Sequence, residues 1–155
     1  MKARTSLQIR TGVALVAATG LVTGIVATSG GTAIAGHTVT VLSADLKGKN
    51  EAPVKGDPNG RGMARVFGVD NEPNTLCYVV EVSKIEPATA AHIHEAPEGV
   101  AGPVVVPLAA PTDGDSAGCA ETPLAQEILA DPTAYYVNVH NTTYPSGAIR
   151  GQLAD

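Results

Sequence analysis

Between Thr75 and Ser83 the chain alternates: Leu76, Tyr78, Val80 and Val82 fall on one side, Thr75, Glu81 and Ser83 on the other. Successive side chains of an extended chain point to opposite faces, so a period of two marks a strand with one face against a core. Weaker versions of the signal lie at 38–44 (Val39, Val41), 62–69, 89–95, 102–108, 134–141 and 148–153. Clusters of Gly, Pro, Asp and Asn separate them, the longest being the loop 47–61 with Gly48, Pro53, Gly56 and Asp57-Pro58-Asn59-Gly60. Only one segment reads as helix, near 123–130: Thr122 can cap it, Pro123 suits its first position, and Asp131-Pro132 stops it. Seven short strands at regular spacing predict an all-β, antiparallel β-sandwich with one short helix.

The first thirty-five residues stand apart. Lys2, Arg4 and Arg10 make a positive leader, residues 13–26 are almost wholly small and apolar, and Ala33-Ile34-Ala35 offers a small-x-small cleavage pattern. The reading is a secretory signal peptide over 1–35, cut between Ala35 and Gly36, followed by one mature domain over 36–155. The apolar stretch falls short of the ~20 residues that a spanning helix needs. Without Lys2, Arg4 and Arg10 the ten basic residues fall to seven against fifteen acidic ones, a mature net charge of −8. Such a surface repels nucleic acid and anionic membranes, whose binding relies on clustered Lys and Arg. A secreted, extracellular or cell-wall setting is expected.

In an oxidising compartment the two cysteines, Cys77 and Cys119, are read as a disulfide. A loop of this length closed by a bridge is stabilised by ~4 kcal/mol in the chain-entropy model.

Strand parity also places the histidines. His92 and His94 share one face of their strand, Ala91 and Ile93 the other. In Tyr135-Tyr136-Val137-Asn138-Val139-His140 the side of Tyr136, Asn138 and His140 is polar, and in the last strand Arg150 and Gln152 face away from Ile149 and Leu153. If these strands are neighbours, they assemble a patch with three imidazoles. Converging neutral imidazoles suit copper(II) or zinc, with a fourth position left for water or a small ligand. The other reading is a solvated or hydrogen-bonded sheet face that binds nothing. His37, second in the mature chain, could bind copper with the free α-amine or belong to a frayed end. Asn141-Thr142-Thr143 matches the N-glycosylation pattern. No nucleophile or phosphate-loop constellation stands out, so no catalytic residue is assigned.

Four segments together resemble the CHRD domain, a module named for its repeats in the animal protein chordin and also found singly in secreted bacterial proteins. They are Ala88-Thr89-Ala90-Ala91-His92-Ile93-His94, Gly102-Pro103-Val104-Val105-Val106, Tyr135-Tyr136-Val137-Asn138-Val139-His140, and Tyr144-Pro145-Ser146-Gly147-Ala148-Ile149-Arg150-Gly151-Gln152-Leu153. Asn50-Glu51-Ala52-Pro53 is similar to the family's early Glu-Val-Pro-Pro element, with Ala52 and Val54 in place of its Val and second Pro. The resemblance spans about Thr40 to Leu153 and implies a secreted, β-rich module that binds an extracellular protein or cell-wall ligand, or serves a structural role.

A second likeness is to the copper half of copper/zinc superoxide dismutase, where His92, His94 and His140 would hold copper, Arg150 would guide an anion, and Asn138 would stand behind the ligands. No histidine lies between His94 and His140 to bridge to a zinc site, so this likeness implies a copper-only centre rather than full dismutase chemistry, and superoxide-dismutase-like redox activity stands as a third reading after a binding or structural module and a metal-binding domain. The two likenesses leave an immunoglobulin-like or a superoxide-dismutase-like Greek key as the expected strand order.

Overall fold

A computed structural model describes residues 39–155. The expected signal peptide, its Ala35–Gly36 cleavage point and His37 lie outside the described residues. Eight strands form one hydrogen-bonded antiparallel sheet: β1 (Val41–Lys47), β2 (Arg61–Val69), β3 (Glu72–Ser83), β4 (Ala88–Glu95), β5 (Val104–Leu108), β6 (Asp115–Glu121), β7 (Tyr135–Asn141) and β8 (Ile149–Gln152). Their spatial order is β5-β4-β7-β8-β1-β2-β3-β6. The sheet curls so that β5 and β6, its two ends, approach each other. Around this nearly closed sheet β6 lies beside β3, and β7, reached from β6 over the long connection 122–134, lies beside β4, the return of the fourth strand that defines a Greek key. The antiparallel all-β architecture expected from the alternation is therefore present.

One core fills the interior. Leu42, Ala44 and Leu46 of β1, Val66 of β2, Leu76 and Val80 of β3, Ile93 of β4, Val137 and Val139 of β7 and Ile149 of β8 are all buried. Each large side chain removed from water contributes about 1.5–3 kcal/mol. The helix α1 (Ala125–Ala130) adds Ala125 and Ile128 to this core. Thr122 Oγ1 accepts the Leu124 amide at 3.2 Å, just ahead of α1.

Two expectations need correction. The first strand is 41–47, not 38–44: Leu42, Ala44 and Leu46 face inward, whereas Val39 and Val41 are about half exposed. The sequence reading also missed β6. Its segment, Asp-Ser-Ala-Gly-Cys-Ala-Glu, has no β-branched or aromatic residue. β6 pairs with β3 from Thr75↔Glu121 to Glu81↔Asp115, which puts Cys77 directly opposite Cys119, and the two form the disulfide.

Candidate metal centre

The outer face of β4, β7 and β8 carries the candidate site, and the ladder sets out its rows. His92 lies opposite Asn138, which lies opposite Arg150; one row on, His94 lies opposite Tyr136, which lies opposite Gln152. His140 follows on β7, opposite Ala90. Ala91 and Ile93 point into the core, as parity requires. The structure thus brings together His92, His94 and His140: one ring nitrogen of each lies within 4.8 Å of the others.

The hydrogen bonds fix the tautomers. His94 Nδ1 lies 2.9 Å from the Gly102 carbonyl oxygen and His140 Nδ1 lies 3.1 Å from that of Pro145. A carbonyl only accepts, so both Nδ1 atoms carry the proton and both Nε2 atoms present a lone pair. His92 Nδ1 then donates to His140 Nε2 at 3.1 Å. His94 Nε2 is buried with no hydrogen-bond partner, and so is Asn138 Oδ1. Buried acceptors without partners are uncommon, since each gives up its hydration for nothing.

Burial is the first cause that pushes all three imidazoles below their ordinary pKa. The neighbouring imidazoles add to it for His92 and His140, and Arg150 does so for His94; the Gly102 carbonyl and the Asn138 side chain oppose it at His94, and the Pro145 carbonyl at His140. The cluster is therefore neutral at pH 7, the form in which imidazole binds a metal.

Two loops cover this face and bury what parity alone would leave in water. The segment 96–103 is held by Arg150, whose guanidinium donates to the carbonyls of Val100 at 2.7 Å and Pro97 at 2.9 Å. Gln152 Nε2 donates to the Ala96 carbonyl at 2.8 Å. Arg150 Cζ sits 3.3 Å from the centroid of the Tyr136 ring, and the other face of the row continues with His94, whose ring is parallel to Tyr136 within 10° at 4.8 Å. The Tyr136 hydroxyl accepts the Gly102 N–H at 3.1 Å. The glycine whose carbonyl orients His94 is thus also held through its N–H. A Cβ at Gly102 would run into the Glu95 carbonyl, so only glycine lets this peptide come so close.

Arg150 is 1 % exposed. Its guanidinium is engaged by the Tyr136 ring and the carbonyls of Val100 and Pro97.

The second loop, 48–60, lays Glu51 over Asn138. Asn138 Nδ2 donates to both Glu51 carboxylate oxygens, at 3.1 and 3.2 Å. Glu51 is 2 % exposed, and burial raises its pKa to about 7 against the opposing pull of Asn138, Arg150 and Lys55. Gly147, at φ +144, makes room: a Cβ there would overlap the Glu51 carboxylate. Reading by residue type did not pick out Glu51, because it sits in a turn-rich loop. The one signal for it was the Asn50-Glu51-Ala52-Pro53 element.

Asn141 of the glycosylation pattern is 1 % exposed and its Oδ1 accepts the Tyr144 N–H, so its side chain is closed to a sugar. A surface cleft of about 380 Å³ lined by Val39, Asp70, Glu72, Gln126 and Leu129 includes none of the three histidines. No helix among the described residues is long and apolar enough to cross a membrane.

No curated protein and no solved structure matches the chain. The family model of the CHRD domain matches residues 42–153, which takes in every strand but the first residue of β1, all three histidines, Glu51 and Arg150. This chain belongs to the CHRD domain family.

Proposed function

We propose that this CHRD domain is an exported module that binds one copper or zinc ion through His92, His94 and His140. The observation that carries the reading is the convergence of three neutral imidazoles, one of which, His94, points a buried and unpartnered Nε2 lone pair. His94 and His140 offer Nε2. His92 offers Nδ1 once its proton moves to Nε2, at the cost of one hydrogen bond to His140. The carbonyls on the far nitrogens of His94 and His140 are the outer partners that metal-binding imidazoles usually have. Three imidazoles fit both metals and leave a fourth position for water or a small ligand. Arg150 and Tyr136 hold His94 in place. Export is supported by the positive leader, the small-x-small pattern and a disulfide, a bond that persists in oxidising compartments.

Thermal melting with and without metal tests the proposal. Free Zn²⁺ or Cu²⁺ at a hundredfold excess over its Kd stabilises the folded state by about 2.7 kcal/mol, a rise of several degrees in Tm. His94→Ala abolishes that rise. No rise with either metal, or the same rise in the variant, contradicts the reading.

A further inference from the structure

We propose that Glu51 makes metal loading proton-linked: it holds a proton while the three-histidine site is empty and releases it to solvent as the cation binds. The inference rests on the metal reading above and adds its regulation. Asn138 stands between the carboxylate and the site. Glu51 is enclosed, with Asn138 of β7 donating to both oxygens. Asn138 lies opposite His92 in the ladder, and its own Oδ1 is buried without a partner, as is His94 Nε2. The Asn138 side chain thus acts on both the Glu51 carboxylate and the His94 imidazole, so a charge gained at the three histidines is felt at Glu51.

The groups that face Glu51 are Asn138 from β7, Arg150 from β8, Lys55 from its own loop and the glycine space at Gly147. Neither cation reaches the carboxylate by a side-chain ion pair: Arg150 is spent on the carbonyls of 97 and 100, and Lys55 Nζ donates to the Glu51 backbone carbonyl at 3.2 Å. The carboxylate therefore lacks a full counter-charge, which agrees with its raised pKa of about 7. A divalent ion nearby supplies one. The balance is a carboxylic acid and a free cation giving a carboxylate, a bound cation and one proton in water. By linkage, binding tightens as pH rises through the range in which Glu51 titrates.

Calorimetric titration of Zn²⁺ into the protein at pH 6.5, in two buffers of different ionisation enthalpy, counts the protons released. The wild type is expected to release roughly half a proton more per metal than Glu51→Gln. At pH 8 that variant is expected to bind about tenfold more weakly, the scale of lost outer partners at metal sites. Equal proton release and equal affinity overturn the inference while leaving the metal site standing. No Zn²⁺ uptake by the wild type overturns the metal reading and the inference together. A second measurement needs no variant: the ¹³C carboxyl signal of Glu51 should titrate near neutrality without metal and by at least one pH unit lower with Zn²⁺ bound. An unchanged midpoint overturns the linkage.

Discussion

Glu51 is the residue at which stability and function pull in opposite directions. Its folded-state pKa of about 7 lies above the ordinary 4.5, so the folded state holds the proton more tightly than the unfolded one. For a raised carboxyl the contribution is full below pH 4.5 and is lost as pH rises through 7. In the metal-free protein this group therefore weakens the fold at pH 8 relative to pH 5, by on the order of 3 kcal/mol. Glu51→Gln, neutral at every pH, should remove that loss. Urea unfolding of both proteins at pH 5 and pH 8 checks it, and a stability gap that does not grow in favour of the variant between the two contradicts it. The histidines act with the opposite sign: their lowered pKa values favour the fold above pH 6.5, and that contribution is lost as the pH falls. The three imidazoles were legible from parity alone, because His92, His94 and His140 fall on the faces their apolar neighbours leave. Glu51 was not. Its burial comes from a loop folding back over Asn138 of β7 into the space left at Gly147, and neither feature follows a periodic rule.

Among the elements, the segment 96–103 depends most on a single side chain. Arg150 reaches from β8 to two carbonyls of this segment and stacks on Tyr136, so the loop, the ring and His94 form one packed column. Hydrogen bonds from a charged donor each contribute about 1.5–3 kcal/mol. Arg150→Met should then cost about 3 kcal/mol and raise amide exchange in 97–103, while the β2–β3 ladder keeps its protection. Unchanged exchange in that loop would contradict the account. The strands themselves differed in legibility for physical reasons. β3, β4 and β7 have inward residues that are apolar, and their faces were read correctly. β1 was placed three residues early because Val39 and Val41 alternate as well as Leu42, Ala44 and Leu46 do, and only packing distinguishes the two registers. β6 gave no signal, since its ladder to β3 and the disulfide hold it where its side chains do not.

Across the whole molecule, the disulfide and the histidine site lie on different parts of the sheet. Cys77–Cys119 staples β6 to β3, and the histidines sit on β4 and β7. Removing the bridge with Cys77→Ala/Cys119→Ala should lower stability by about 4 kcal/mol, read from the urea midpoint, with metal affinity of the folded protein unchanged. A loss of metal binding at full folding would contradict that separation. The Greek-key architecture was legible as a class, because alternation and turn chemistry suffice for it. The strand order was not, because it depends on which edges meet once the core forms. The candidate site was legible as three residues, but the covering of His94, Asn138 and Arg150 was not, since the two covering loops carry no periodic signal. The central claim is that these three imidazoles form one metal site, and direct titration of Zn²⁺ and Cu²⁺ into the protein and its His92→Ala/His94→Ala/His140→Ala variant tests it. The account predicts one equivalent bound tightly by the wild type and none at that affinity by the variant, with both proteins folded; no binding, or equal binding in both, would contradict it.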